Sequence, residues 1–328
     1  MHRCTRALAG AVAAVVILIA AAPAGASFPG RNGRLVYTDS ATQAIWTVRP
    51  DGTHRRRLVA LPGARDPAWS ADGRQVVFAA RTNPDRLAYN SYEIFTVRAN
   101  GSHLQRLTHN SVADLSPSWS RSGHSIALVR VPYDQYYNQV LESAQLRVLN
   151  VATGRERLVV DGSVRDARLS PNGKLIAYST GKDVYVVRAT GGAPRFVAHL
   201  DDAYAIEDLQ WDPSYGGYLL FTDYNDVGPC DEICTKGVWA VFGVAYAFLN
   251  PTYTPGSPDR ITPYRAGATR NGVWSPNGRK IDYCAPGGAP WVTPGWYMAT
   301  MRPDGTRAHN VALISGCPTD WQALPPRK

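Results

Sequence analysis

Trp69-Ser70-Ala71-Asp72-Gly73, followed after Arg74 by the apolar run Gln75-Val76-Val77-Phe78-Ala79, is the stretch from which the fold is read. The phrase returns as Trp119-Ser120-Arg121-Ser122-Gly123, Leu169-Ser170-Pro171-Asn172-Gly173, Trp211-Asp212-Pro213-Ser214-Tyr215-Gly216 and Trp274-Ser275-Pro276-Asn277-Gly278. Recurrence of this kind marks a unit that cannot bury its apolar face alone and must stack on copies of itself. Inside each unit the Trp or Leu ends one strand, the step from Ser or Asp to Gly is a turn, and the β-rich run after Gly is a second strand. A third strand ends at another turn, as in Arg49-Pro50-Asp51-Gly52 and Arg98-Ala99-Asn100-Gly101, where Gly supplies the positive φ of a tight hairpin. A fourth strand, near 57–59 or 105–108, completes the unit. Four antiparallel strands per unit, repeated around a ring, make a β-propeller.

The two ends of the chain supply one further unit between them. Phe28-Pro29-Gly30-Arg31-Asn32-Gly33-Arg34-Leu35-Val36-Tyr37 reads as a turn and second strand with no Trp strand before it. Thr319-Asp320-Trp321-Gln322 reads as an inner strand with nothing after it. The second should pair beside residues 35–38 and lock the ring. The expected fold class is therefore all-β: a six-bladed propeller of four-stranded antiparallel blades, closed by the C-terminal strand joining the N-terminal blade.

These repeats resemble those of the TolB-type six-bladed propellers, whose WD-like repeats carry Pro-x-Trp-Ser-Pro-Asp-Gly. Pro67-Ala68-Trp69-Ser70-Ala71-Asp72-Gly73 and Pro117-Ser118-Trp119-Ser120-Arg121-Ser122-Gly123 match closely, Leu169 replaces Trp in the third copy, and Tyr215-Gly216-Gly217 loosens the fourth. The resemblance runs over nearly all of residues 27–328. It implies a structural role for the repeat, with members serving as periplasmic protein-binding parts of envelope complexes or as propellers attached to peptidases. It carries over no partner-binding residue.

Arg3 and Arg6 precede an apolar stretch over residues 7–22, and Ala24-Gly25-Ala26 follows. That is the layout of a secretory signal peptide over residues 1–26, leaving 27–328 as one propeller domain, secreted or periplasmic. The stretch is short for a membrane span, and so is the apolar run 238–249, so no span is expected after cleavage. The formal net charge of +9 is spread over isolated arginines, with Arg55-Arg56-Arg57 the one cluster, placed in a predicted edge strand. Charge guarding an edge accounts for it without a nucleic-acid partner. Cys230, Cys234, Cys284 and Cys317 all lie in the last third. Export implies disulfides: Cys284 with Cys317 across the closing seam, and Cys230 with Cys234 around a small loop.

Function has to lie in what departs from the repeat. Gly123-His124-Ser125-Ile126-Ala127 resembles a nucleophile elbow. In register it aligns with Gly73-Arg74-Gln75-Val76-Val77, so it reads as an ordinary turn and strand. No catalytic residue is assigned. Asp66, Asp166, Asp208 and Asn271, together with Ser116, each fall three places before an inner-strand Trp or Leu and converge on the channel mouth. They are expected either to cap their own turns or to focus negative potential on a cation. Long connections near 80–92, 131–144, 223–236 and 284–294 emerge on one face, with short ones at 39–43 and 180–182 on opposite blades, so the long loops should form two walls with a trough between. Tyr89, Tyr92, Tyr133, Asp134, Tyr136, Tyr137, Trp291 and Trp296 are the candidate ligand-binding residues, because Tyr and Trp give large contact area with a polar tip. The expected partner is a protein, a peptide or an envelope glycan. The competing reading is a metal-dependent hydrolase or lyase using Asp66, Asp166 and Asp208. No cofactor is assigned; a Ca²⁺ site among Asp223, Asn225, Asp226, Asp231 and Glu232 is weighed against solvated loop acids.

Overall fold

A computed structural model describes residues 28–85, 91–133, 140–200, 205–213, 218–225, 238–245, 259–260, 269–286 and 296–326. They form six four-stranded antiparallel sheets. Blade 1 takes its inner strand from the far end of the chain: β24 (Pro318–Leu324) precedes β1 (Arg31–Thr38), β2 (Ile45–Val48) and β3 (Arg56–Val59). Blade 2 is β4 (Arg65–Trp69), β5 (Gln75–Arg81), β6 (Tyr92–Arg98) and β7 (Gln105–Arg106). Blade 3 is β8 (Ala113–Trp119), β9 (Ser125–Val131), β10 (Gln145–Asn150) and β11 (Glu156–Asp161), and blade 4 is β12 (Asp166–Leu169), β13 (Leu175–Ser179), β14 (Asp183–Arg188) and β15 (Arg195–His199). Blade 5 is β16 (Ala205–Trp211), β17 (Tyr218–Asn225), β18 (Val238–Ala245) and β19 (Asp259–Arg260). Blade 6 is β20 (Arg270–Trp274), β21 (Ile281–Pro286), β22 (Trp296–Met301) and β23 (His309–Ile314). Each inner strand packs on the next, and β20 packs on β24, which packs on β4, so the ring is closed.

The repeated phrase has one local geometry. Ser70 N donates to Gln75 O, Gly73 N donates to Ser70 O, and Gln75 N donates to Ser70 Oγ at 3.0 Å. Asp72 Oδ1 accepts the Ser70 hydroxyl at 2.7 Å. The backbone pattern recurs at Ser120, Ser170 and Ser275, and each turn glycine has positive φ. Serine is needed because one hydroxyl serves both sides of the turn, and Gly because the left-handed region is open to it at little cost. The Trp of each inner strand, Leu169 in blade 4, is buried in the core. Trp69 belongs to one core cluster with Val36 and Phe78, Trp119 to one with Leu169, Trp211 to one with Leu219 and Phe221, and Trp321 to one with Leu35 and Val273.

Closure follows the expected register: Leu35 pairs with Trp321 and Val36 with Asp320. Cys284 in β21 is bonded to Cys317 just before β24, with Cα atoms 5.5 Å apart, and so ties blade 6 to blade 1. Cys230 and Cys234, and residues 1–26, lie outside the described residues. Gly316 precedes the bridge. A Cβ there would run into the carbonyl oxygen of Thr38, so only glycine lets the two backbones approach. The bridge spans 33 residues, and by loop-closure entropy it should stabilise the fold by about 3 to 4 kcal/mol. Denaturant unfolding with and without reductant should show that loss; unchanged midpoints would count the bridge as thermodynamically silent.

Candidate channel-mouth cavity

In four blades the inner strand breaks register with the second strand one turn before its Trp. The shifts fall between Arg65 and Ala68, Leu115 and Ser118, Glu207 and Gln210, and Arg270 and Val273. At each break one residue takes positive φ: Asp66, Ser116, Asp208 and Asn271, all between +48° and +55°. Asp and Asn enter this region more readily than other side chains, which is why the repeat carries them there. A bulge of this kind re-aims side chains. Blade 4 has no bulge, and Asp166 pairs regularly with Ser179.

The predicted channel-mouth acids are not capping only their own turns. Asp66 Oδ2 accepts from Ser116 N of the next blade at 3.3 Å and from Arg65 Nε at 3.0 Å. Asp166 Oδ2 accepts from Leu209 N of blade 5 at 2.8 Å, while its Oδ1 accepts from its own strand at Ala167 N and from Arg168 Nη1 at 3.2 Å. Asp208 Oδ1 accepts from Asn271 Nδ2 of blade 6 at 3.0 Å. These side chains fasten blade to blade, a non-local partner that sequence spacing does not reveal. Gln210 adds a longer reach: its Nε2 donates to Thr319 O at 2.9 Å, joining the inner strands of blades 5 and 1, which are not neighbours in the ring.

Above that link lies a cavity of about 340 Å³. Its wall includes Ser40 and Gln43 from the β1–β2 turn, Gly63 and Ala64 from the crossing into blade 2, and Gly316 and Cys317 from the crossing into blade 1. All of these belong to the rim from which the long connections leave. Asp66, Asp208 and Asn271 line it, and so does Tyr92, a residue placed from sequence in a long-loop wall. Asp166 is buried beneath, committed to Leu209 and Arg168. Four residues were missed: Arg65, Arg168, Glu207 and Arg270. Arg65, Glu207 and Arg270 stand one place before Asp66, Asp208 and Asn271, and the bulge is the signal that would have found them.

Charge of both signs is therefore concentrated in one small volume. Burial pushes the Asp208 carboxyl up to about 7, reinforced by negative Glu207 and Asp166 and opposed by Arg270 and Arg168. Desolvation by the surrounding cavity wall also raises Glu207, although its side chain is exposed to the cavity, with Asp166 adding to the rise and Arg65 opposing it. Arg65 is held charged by Asp66. The arginines rest on aromatic faces: Arg65 and Arg81 each lie 5.9 Å from the Tyr92 ring centroid, and Arg270 lies 4.3 Å from that of Trp296. Such stacking holds a guanidinium in place while leaving its edge to donate. Arg270 Nε also reaches Cys317 Sγ at 3.3 Å.

Tyr92 and Trp296 thus work as seats for cavity arginines. Tyr133 packs, half-buried, against the core of blades 2 to 4. Tyr89, Asp134, Tyr136, Tyr137 and Trp291 lie outside the described residues. Asp223, grouped with the loop acids from sequence, is a buried residue of β17, while Asp226, Asp231 and Glu232 lie outside the described residues. Among the described residues no three His, Cys, Asp or Glu side chains are grouped to hold a metal ion, and no helix is long and apolar enough to cross a membrane. Burial should make Asp208 a pH-dependent group: of the two carboxyl titrations expected near pH 7 by NMR, those of Asp208 and the buried Asp282, Asp208→Asn should remove one, and persistence of both would move that titration to another residue.

No family model matches this chain, and no curated protein matches it. Solved structures do. The chain is similar to TolB from Acinetobacter baumannii, with 14% identity and a TM-score of 0.60, over 91% of this chain and 66% of that one. It is similar to the hydrazine synthase of Kuenenia stuttgartiensis, with 14% identity and a TM-score of 0.61, over 93% of this chain and 49% of that one. An oligogalacturonate lyase in complex with manganese gives 10% identity and a TM-score of 0.52, over 87% of this chain and 86% of that one. At such identities the likeness is one of fold. The class is an all-β propeller with a mixed-charge cavity at its channel mouth.

Proposed function

We propose that this protein is an exported binding propeller, without catalysis of its own, that recognises a protein, peptide or envelope glycan over its long-loop face. The observation that carries the reading is the position of the cavity. It opens on the rim from which the four long connections depart, so a partner lying between those loops meets Arg65, Glu207 and Arg270 at its centre. Rigid sheets hold these groups while loops supply the surrounding contact area. The disulfide supports export, because such bridges persist in oxidising compartments. A photoreactive residue placed at Tyr136 or Tyr137 should capture an envelope component, and one placed at Ser102, beside a tight turn of the opposite rim, should not. Adducts from position 102 alone, or from none of the three, would overturn the reading.

One observation favours the second reading, a channel-mouth hydrolase or lyase. Asp208 lines the cavity with its carboxyl pushed up to about 7 by burial, where a general acid or base is often poised. Stoichiometric Ca²⁺, Mn²⁺ or Zn²⁺ in the purified protein would favour it over simple binding.

A further inference from the structure

Two opposite charges line the cavity from opposite blades and keep hydrogen-bonding atoms that no described residue takes up. Blade 2 and blade 5 stand opposite in a ring of six, and the same register position in each, the last paired residue before the bulge, is Arg65 in one and Glu207 in the other. Arg65 spends Nε on Asp66 and its face on Tyr92. Its two terminal nitrogens have no hydrogen-bond partner among the described residues, and its side chain is 48% exposed. Glu207 has no hydrogen-bond or ion-pair partner among the described residues and is exposed toward the cavity it lines. The neighbouring charges are occupied: Arg168 by Asp166, Asp66 by Arg65 and Ser116 N, and Asp208 by Asn271. The Thr38 hydroxyl, at the end of β1 in the cavity lining, is buried with no hydrogen-bond partner among the described residues. A fold-stabilising role does not account for this pair, since opposite charges set apart across an opening gain little from each other in water.

We propose that the cavity binds a small zwitterion, a short peptide with free ends, whose carboxylate sits on the Arg65 guanidinium and whose ammonium sits on the Glu207 carboxylate. Guanidinium offers two parallel donors that match a carboxylate, and the Tyr92 face fixes the plane in which they are presented. Glu207 accepts from the ammonium. A cavity of about 340 Å³ is at the small end of ligand-site sizes, which suits a few residues rather than a folded segment. The proposal rests on the cavity being the centre of the recognition face, and it adds the chemistry of what enters it.

The test is calorimetric titration of the whole protein with diglycine, triglycine and tetraglycine, and with N-acetyl and C-amide forms of the tightest binder. Affinity should pass through an optimum with length, because each residue adds about 3.3 to 3.6 Å of reach. Blocking either end should weaken binding tenfold or more, the scale of losing a hydrogen bond to a charged group. Glu207→Gln should erase the penalty of acetylation and leave that of amidation, and Arg65→Gln should do the reverse. Equal affinity for free and blocked peptides, or no binding of any of the three, would overturn the proposal. If only the amidated form or only the acetylated form retains full affinity, the site takes a lone cation or a lone anion and the zwitterion is wrong. Failure here with crosslinks still arising at Tyr136 or Tyr137 would leave the recognition face standing and remove only this ligand.

Discussion

Asp282→Val should make the protein more stable, with a gain that grows from pH 5 to pH 8 and reaches about 4 kcal/mol at the upper end. Asp282 is 1% exposed and lies in β21 at the register position where the other five second strands carry Val36, Val77, Ala127, Ala177 and Leu220. Among the described residues its Oδ2 has no hydrogen-bond partner. Burial pushes its carboxyl up to about 7, opposed by Thr300 and Lys280. The unfolded chain releases that proton near pH 4, so between pH 4 and 7 the native state binds more protons than the unfolded state. Stability therefore falls as pH rises through this window, by about 1.4 kcal/mol per unit for one group, and levels off above 7. Valine removes the term. Urea unfolding at pH 4.5 and pH 8 measures it, and Asp208 keeps its own share of the slope in the variant. Parallel stability curves for wild type and Asp282→Val across this range would show that Asp282 is not the group responsible.

Ending the chain after Cys317, which removes β24 but keeps the disulfide, should abolish cooperative unfolding. The lost segment holds blades 1, 2 and 6 at once. Trp321 is 1% exposed in the closing seam, and its Nε1 donates to Gly33 O at 3.2 Å. Asp320 Oδ2 accepts from Trp69 N at 2.7 Å, Thr319 Oγ1 donates to Pro67 O at 2.7 Å, and Gln322 Nε2 donates to Gly73 O at 2.6 Å. Without them the edge of β1 and the inner seams of blades 2 and 6 are open to water. A synthetic peptide of residues 318–328 added in trans should restore a sharp transition. The same peptide with Trp321→Ala should bind several hundred-fold more weakly, because truncating a buried Trp costs about 3 to 5 kcal/mol. A truncated protein that melts as sharply as the full chain would remove β24 from the closure.

The blades were legible because their signals are local. Trp119, the turn at Ser120 to Gly123 and the strand Ser125–Val131 encode one another within a dozen residues, through alternation and a glycine that must have positive φ. The pairing of Trp321 with Leu35 was legible for a different reason: an inner strand lacking its sheet and a sheet lacking its inner strand have only each other. The cavity was half legible. Asp66, Asp208 and Asn271 stood out because they recur, whereas Arg65, Glu207 and Arg270 do not repeat in type and enter the channel only because the bulge turns them there.

What the chain order by itself determined is the blade, the number of blades and the way the ring shuts, since each depends on contacts between near neighbours or on one unmatched edge. What only the closed ring decided is which charges meet. Residues 65, 207 and 270 hold one place in the repeat but differ in type, residue 317 lies outside it, and all four, far apart in sequence, line one cavity because six inner strands point at one axis. Electrostatic coupling depends on distance through space, and that distance exists only after the last strand has docked.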